Sequence, residues 1–395
     1  MCYNKRAYRK KNPKGWHIFM EKSKVYFTDF RTGIGTGLPT KLQRLLKKAG
    51  LPNIDMEGKF VAIKMHFGEL GNISYLRPNY ARAVVDLVKE LGGKPYLTDC
   101  NTMYPGSRKN ALEHLECAWQ NGFTPLTVGC PILIGDGLKG TDDVAVPVAG
   151  GEYVKEARIG RAVMDADIFI SLSHFKGHEM TGFGGAIKNI GMGCGSRAGK
   201  KEQHSSGKPY IEEDACRGCR RCLKECANNG LMFNEESGKM SVNEANCVGC
   251  GRCLGACNFD AISFRCDNAN ELLNCKMAEY TKAVVDGRPH FHISLIVDVS
   301  PNCDCHSEND APILPNIGMF ASFDPLALDW ACVDACMKAH PMPNSQLSDR
   351  MGKHGFVDLK DPFRNSTPAS EWRSCLAHAE KIGLGSRDYD LVVMK

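Results

Sequence analysis

The sequence has no uninterrupted apolar run approaching the roughly 18 residues that a bilayer-spanning helix needs, which argues against a membrane span. It also lacks a strong charge of one sign. The formal net charge is +5, and beyond the N-terminus the basic residues are spread along the chain, so nothing calls for nucleic acid or another polyanionic partner. Nor do the first residues read as a secretory signal. The first nineteen residues carry Lys5, Arg6, Arg9, Lys10, Lys11 and Lys14, and only residues 16–20 are apolar, too short a stretch for a signal's hydrophobic region. Residues 1–19 are therefore expected to form a basic, disordered extension, or to lie upstream of a working start at Met20.

Cysteine, by contrast, is abundant, with 20 in 395 residues. Spacing decides between a disulfide scaffold and thiolate metal sites. Cys216, Cys219, Cys222 and Cys226 are followed 31 residues later by the same run at Cys247, Cys250, Cys253 and Cys257. This C-x2-C-x2-C-x3-C pattern, which resembles bacterial two-cluster ferredoxins, wraps three thiolates around one [4Fe–4S] cube and sends the fourth to the other. Cys216, Cys219, Cys222 and Cys257 are assigned to one cluster, and Cys247, Cys250, Cys253 and Cys226 to the second. Gly218, Gly249 and Gly251 permit backbone N–H groups to turn inward toward sulfide. Ala261-Ile262 and Leu231-Met232-Phe233 are expected to pack over the clusters. Ala227 and Asn258 stand where the usual pattern has proline, which shapes the exit turn and ligates nothing. Two structural zinc sites or a set of disulfides are the competing readings, and eight cysteines in two compressed tetrads suit neither.

Around the cysteines, apolar β-rich runs alternate with helical patterns, which predicts an α/β fold with a mostly parallel sheet flanked by helices. Strand and helix pairs are expected at 24–29 and 39–49, 60–67 and 77–91, and 95–99 and 108–121, with a further buried strand at 167–173. Beyond the cysteines come a helix at 270–286, strands at 291–299 and 317–323, a helix at 326–338, and a last helix and strand at 371–382 and 389–394. Strands on both sides imply that an α+β two-[4Fe–4S] ferredoxin-like domain, residues 210–266, is inserted between two parts of one host domain, 20–209 and 267–395. Residues 195–209, rich in Gly, Ser and Lys, are expected to be the flexible connection into it.

Ligands of open parallel sheets bind beyond the carboxyl ends of strands. Candidate catalytic residues there are Lys64, His66, Asp99, His174, Lys176 and Lys188. Candidate cofactor-binding residues are Gly182, Gly184, Gly185, Asn189, Cys303 and Cys305. The glycine-rich stretch 177–193 suits close approach of backbone N–H groups to an anion, though it is neither a P-loop nor a dinucleotide fingerprint, and it reads equally as a turn packing the cysteine unit on the sheet. His174 and His178, four apart, are open to a shared metal on a helix that Gly177 weakens. His66 has a reference pKa suited to acid–base work, with a structural histidine as the plainer reading. Asp99 alternatively caps a helix or turn. Cys303 and Cys305 are too close for an ordinary disulfide; they suit a metal or a reactive thiolate, or simply line the contact with the clusters. Asp324-Pro325, with Asp329 a turn later, reads as a helix start, and Cys332 and Cys336 as core.

These strings resemble the iron–sulfur proteins of domain of unknown function family 362, over about residues 24–340. The resemblance rests on Lys64-Met65-His66-Phe67-Gly68, Leu97-Thr98-Asp99, His174-Phe175-Lys176-Gly177-His178, Gly182 through Asn189, Gly199-Lys200, the two cysteine runs, Cys303-Asp304-Cys305 and Ser322-Phe323-Asp324-Pro325. It implies the cluster content and the fold, and names no reaction. The expected function is electron transfer through two [4Fe–4S] clusters in the cytoplasm of an anaerobe. In one reading an oxidoreductase binds a further unidentified ligand, a small-molecule substrate or cofactor, in the host; in the other a ferredoxin-like carrier serves a redox partner protein.

Overall fold

The computed structural model describes residues 7–12, 15–20, 22–104, 106–204, 208–226, 228–247, 261–264, 269–354 and 360–394, together with residues 253, 257 and 259. Eight strands form one sheet in the order Tyr389–Val393, Ser23–Asp29, Gly318–Ser322, His290–Ile296, Ile168–His174, Phe60–Lys64, Lys94–Asp99 and Ile132–Ile134. Gly318–Ser322 runs antiparallel to both of its neighbours. The other five pairings are parallel, so the α/β class and the mostly parallel sheet are found as expected.

Parallel neighbours require crossover connections, and the helices supply them. Leu38–Ala49 buries Leu42, Leu45, Leu46 and Ala49, one stripe at helical spacing, and ends at Gly50, whose φ of 95° gives the left-handed exit. Pro78–Glu90 starts on a proline, where no N–H is needed, and buries Tyr80, Val84, Leu87 and Val88. Side chains alternate across each strand. Ile168, Ile170 and Leu172 join Val61 and Ile63 under these two helices, whereas Phe169 joins Ala62 and Tyr96 under the helix Ala269–Val285. A strand covered on both faces reads as the continuous apolar run seen at 168–172.

Strands from before and after the cysteine-rich segment therefore share one sheet. The segment itself contributes two small antiparallel pairs, Pro209–Ile211 with Ile262–Phe264 and Leu231–Asn234 with Lys239–Val242. Two expectations need correction. Residues 195–209 are not simply a flexible connection: Arg197–His204 is a helix whose Lys200, Gln203 and His204 are buried. Gln203 donates to Gly191 O at 3.1 Å and Lys200 to Gly195 O at 2.5 Å, contacts that composition does not reveal. Within the N-terminal extension, Ala7–Asn12 and Gly15–Met20 pair as an antiparallel hairpin instead of remaining disordered. Among the described residues no helix is long and apolar enough to cross a membrane.

Candidate functional site

Three neighbouring strands deliver polar residues from their carboxyl ends: Lys64 from Phe60–Lys64, Asp99 from Lys94–Asp99 and His174 from Ile168–His174. The helix Ala186–Cys194 lies across these ends and adds Lys188 and Asn189. Lys64 Nζ sits 3.0 Å from Asp99 Oδ1 and 2.8 Å from Asn189 Oδ1, and the Asn189 amide donates back to Lys64 O at 3.2 Å and to Ser173 Oγ at 3.0 Å. Asp99 is thus half of a buried ion pair and caps no helix. Burial opposes its charge, but Lys64, His114 and Arg108 together hold its carboxyl below the usual range.

These groups face a hollow of about 460 Å³. Of the predicted residues, Lys64, His66, Asp99, Lys176, Gly184, Gly185, Lys188, Asn189 and Cys305 line it, joined by Tyr104, Arg108 and Lys200. Sequence reasoning missed these three as site residues. Arg108 and Tyr104 sit in a loop with no local pattern, and Lys200 belongs to the helix mistaken for a connection, although its string was part of the family resemblance. Arg108 is fully buried, paired with Glu69 at 3.0 Å and standing 3.0 Å from His66 Nε2. Burial, then Arg108, Lys176, Lys64 and Lys188, push His66 well below its ordinary pKa. His66 is thus held as a neutral, hydrogen-bonding ring.

Three predicted residues stay off the wall of this hollow. His174 is buried behind it, with Nδ1 2.9 Å from Asp304 Oδ1 and Nε2 2.6 Å from Val297 O. Gly182, at φ 70°, opens the short strand Gly182–Gly184 opposite His178 of Lys176–His178 and packs against Trp372. Cys303 lies behind Lys188, whose Nζ is 3.2 Å from its sulfur. The shared-metal reading of His174 and His178 also fails, because residues 176–178 are a strand and not a helix. His178 accepts from Met180 N and Thr181 N through Nδ1 and faces a second hollow of about 390 Å³, beside Glu179, His204 and His306. Burial pushes His178 down to about 4, and Glu179 opposes this only in part.

Two glycines of 177–193 are required by packing. A side chain on Gly177 would strike Pro301, in the loop leading to Cys303, and one on Gly185 would strike Asp329. Asp329 does not belong to its own helix start, which Asp324 caps through Leu326 N and Ala327 N. It instead accepts from Ala186 N at 2.6 Å and Ile187 N at 2.9 Å, capping the helix that carries Lys188. Cys332 and Cys336 are core residues, with burial pushing both thiols up.

The cysteine-rich segment is a second candidate centre. Cys216, Cys219, Cys222 and Cys257 line one hollow of about 310 Å³, with Ile211, Met240, Ala261 and Ile262 around them. Cys216 Sγ accepts from Gly218 N and Met240 N, each at 3.5 Å, and Cys226 Sγ from Gly230 N at 3.1 Å. Gly218 reaches this geometry at φ 63°, a region that favours glycine. Leu231 packs with Cys216 and Cys222 in the same apolar cluster, which Cys226, Cys253 and Cys257 border. Cys250, with Gly249 and Gly251, lies outside the described residues. Among the described residues no three His, Cys, Asp or Glu side chains gather tightly enough to hold a single metal ion. The two centres touch: Asn228, two residues beyond Cys226, donates to Met103 O at 3.3 Å, and the adjoining Tyr104 lines both hollows of the sheet domain.

The family described as "Domain of unknown function (DUF362)" matches residues 61–334. A thylakoid-associated protein of Synechocystis sp., sll1697, is 29% identical over 167 residues, 40% of this chain and 46% of that protein, so the chain spans about half the length of this relative. Among solved structures, the lactate racemase apoprotein from Thermoanaerobacterium thermosaccharolyticum is similar at a TM-score of 0.32 and 13% identity, over 74% of this chain and 56% of that one. A structural-genomics protein of Thermotoga maritima is similar at 0.35 and 10%, over 73% and 55%. With its match extending from the Phe60–Lys64 strand into the helix Pro325–Lys338, the chain belongs to the DUF362 family.

Proposed function

We propose that this is an electron-transfer protein carrying two [4Fe–4S] clusters, and that its α/β domain is a redox enzyme acting on a small anionic ligand beside them. The observation that carries the proposal is that Cys216, Cys219, Cys222 and Cys257, three from one run and one from the other, face the same hollow. That crossing-over is the two-cluster ligand pattern. The donor set fits the group. Every donor is a thiol, backbone N–H groups already point at two of the sulfurs, and Met240, Ala261 and Ile262 provide an apolar wall. A cube also spreads its four thiolates over four irons, so it does not need the tight convergence that one ion demands. Cys226, Cys247, Cys250 and Cys253 are assigned to the second cluster. Bound clusters would supply and accept electrons one at a time, and the Asn228–Met103 contact places the Cys226 loop against the wall of the sheet hollow. A reducing, oxygen-poor cytoplasm is the setting such clusters need.

The anionic ligand is read from the hollow itself. Arg108, whose guanidinium lies 3.0 Å from His66 Nε2, lines this space and brings a fixed positive charge to it. Lys64, Lys176, Lys188 and Lys200 add positive charge around the same space. The alternative, a ferredoxin-like carrier with no chemistry of its own, has no use for such a hollow.

Iron and sulfide analysis of oxygen-free protein, with electron paramagnetic resonance after reduction, tests the cluster content; about eight irons per chain are expected. Far fewer irons, or zinc in their place, would overturn it. Reoxidation of the reduced protein by small carboxylate or phosphate-bearing oxidants tests the enzyme reading, and no acceleration by any of them leaves the carrier.

A further inference from the structure

We propose that Cys303 and Cys305 form a two-electron dithiol–disulfide couple at the wall shared by the two hollows, reducing a small-molecule disulfide there and drawing its electrons from the cysteine-rich unit. The supply of electrons rests on the two-cluster reading above; the couple itself does not.

The geometry begins with a turn. His306 N–H bonds back to Cys303 O at 3.0 Å, folding residues 303–306 so that the two thiols hydrogen-bond one another. The turn is clamped from behind. Asp304, between the cysteines, is fully buried and held by His174 at 2.9 Å and Lys176 at 3.0 Å, while Glu69 N–H binds Asp304 O at 2.9 Å. Lys188 Nζ stands 3.2 Å from Cys303 Sγ. The hydrogen bond from Cys305, followed by the charges of Lys188 and Lys176, holds the Cys303 thiol well below its ordinary pKa despite burial. The buried Cys100, Cys332 and Cys336 lack such a setting, and burial pushes each of them up.

Cys305 is the member that meets a ligand, since it lines both hollows with Tyr104, Lys188 and Met192. In the outward step, a ligand disulfide RSSR′ takes the electron pair of the couple. The Cys305 proton passes along the shared hydrogen bond to the Cys303 thiolate; the Cys305 thiolate so formed attacks RSSR′ and expels RS⁻, and the Cys303 thiol then closes the S–S bond to Cys305 as R′SH leaves. In the return step, that S–S bond takes two electrons, which clusters bound by the cysteine-rich unit would supply singly, and one proton, restoring thiolate and thiol. A bridge between residues two apart closes a small, strained ring, which favours its reduction in the return step; the ligand disulfide it reduces must then be more oxidising still. The Asn228–Met103–Tyr104 contact leads from the Cys226 loop to the space that Cys305 faces.

The experiment uses the whole, cluster-loaded chain under nitrogen. It is equilibrated in glutathione buffers from fully reduced to fully oxidised, quenched, alkylated and digested, and the peptide containing residues 303–305 is weighed. The expected result is loss of both alkylations together, in one two-electron transition, as an internal disulfide. Cys303→Ser and Cys305→Ser each abolish the transition while the urea midpoint and the iron content stay near the parent level, which shows that both parts of the variants fold. Lys188→Met slows alkylation of Cys303 at pH 7, by about tenfold for each unit by which its thiol pKa comes to stand above 7. Two free thiols at every buffer ratio, or only glutathione adducts, would overturn the couple. A normal transition in protein whose disulfide is not re-reduced when the clusters are reduced would overturn the electron supply and leave the couple standing.

Discussion

The strand ends of the sheet and the cysteine-rich segment hold their functional groups in opposite ways. In the sheet, Lys64, Asp99, Arg108, Glu69, Asp304 and Lys176 are buried charges placed against one another by strands and helices with a large apolar core beneath them. Among the described residues of 209–264 the buried cluster is Cys216, Cys222, Leu231, Met240, Ala261 and Ile262, half of them sulfur-bearing, between two short strand pairs. So small a cluster does little against chain entropy unaided. The sheet is expected to be organised before any ligand arrives, whereas the cysteine-rich unit is expected to need the clusters proposed for it.

That contrast breaks most readily at the cysteines. Cys216→Ala is expected to lose about half of the iron and to raise hydrogen exchange across the strands Leu231–Asn234 and Lys239–Val242, while Ile168–His174 exchanges as slowly as before; equal exchange in both regions would show that the unit stands without its ligands. In the sheet the largest single effect is expected at Asp304. Asp304→Ala strands His174 and Lys176 without their buried acceptor and costs about 3–5 kcal/mol in urea denaturation, with iron content unchanged.

A middle-sized effect comes from acid. The folded chain keeps His178 neutral down to about pH 4, whereas the unfolded chain binds that proton below about 6.5. Stability should therefore fall between pH 6.5 and 4, by about 1.4 kcal/mol per unit for this ring, and His178→Gln should flatten the slope of urea midpoints against pH. The smallest effect serves as a control. Lys47 and Glu90 pair at 2.7 Å on the surface, and Lys47→Ala should change stability by less than about 1 kcal/mol; a larger loss would mean that the sheet depends on its surface charges as well as its buried ones.

Much of the fold was legible because its signals are local. The stripe Leu42, Leu45, Leu46, Ala49 predicts its helix, and the run at 168–172 predicts a strand covered on both faces. The helix Arg197–His204 was not legible, since its buried face consists of Gly199, Lys200, Gln203 and His204 and carries no apolar period. The site was half legible. Lys64, Asp99, Lys188 and Asn189 were found at strand ends and in the glycine-rich stretch, but Arg108 reads as one more surface cation until Glu69, 39 residues away, is seen against it. Asp329 looked like part of its own helix start and proved to cap another helix 142 residues earlier.

The sequence by itself determined the repeated cysteine spacing, the alternation of strand and helix, and the polar residues at the ends of strands, because each is a pattern within a few residues of chain. Only the tertiary structure decided which charges neutralise one another, that His66 is a neutral ring among cations, and that Cys305 faces a hollow while Cys303 rests on Lys188. Those outcomes depend on burial and on distances between groups far apart in the chain, and local patterns of residues carry neither.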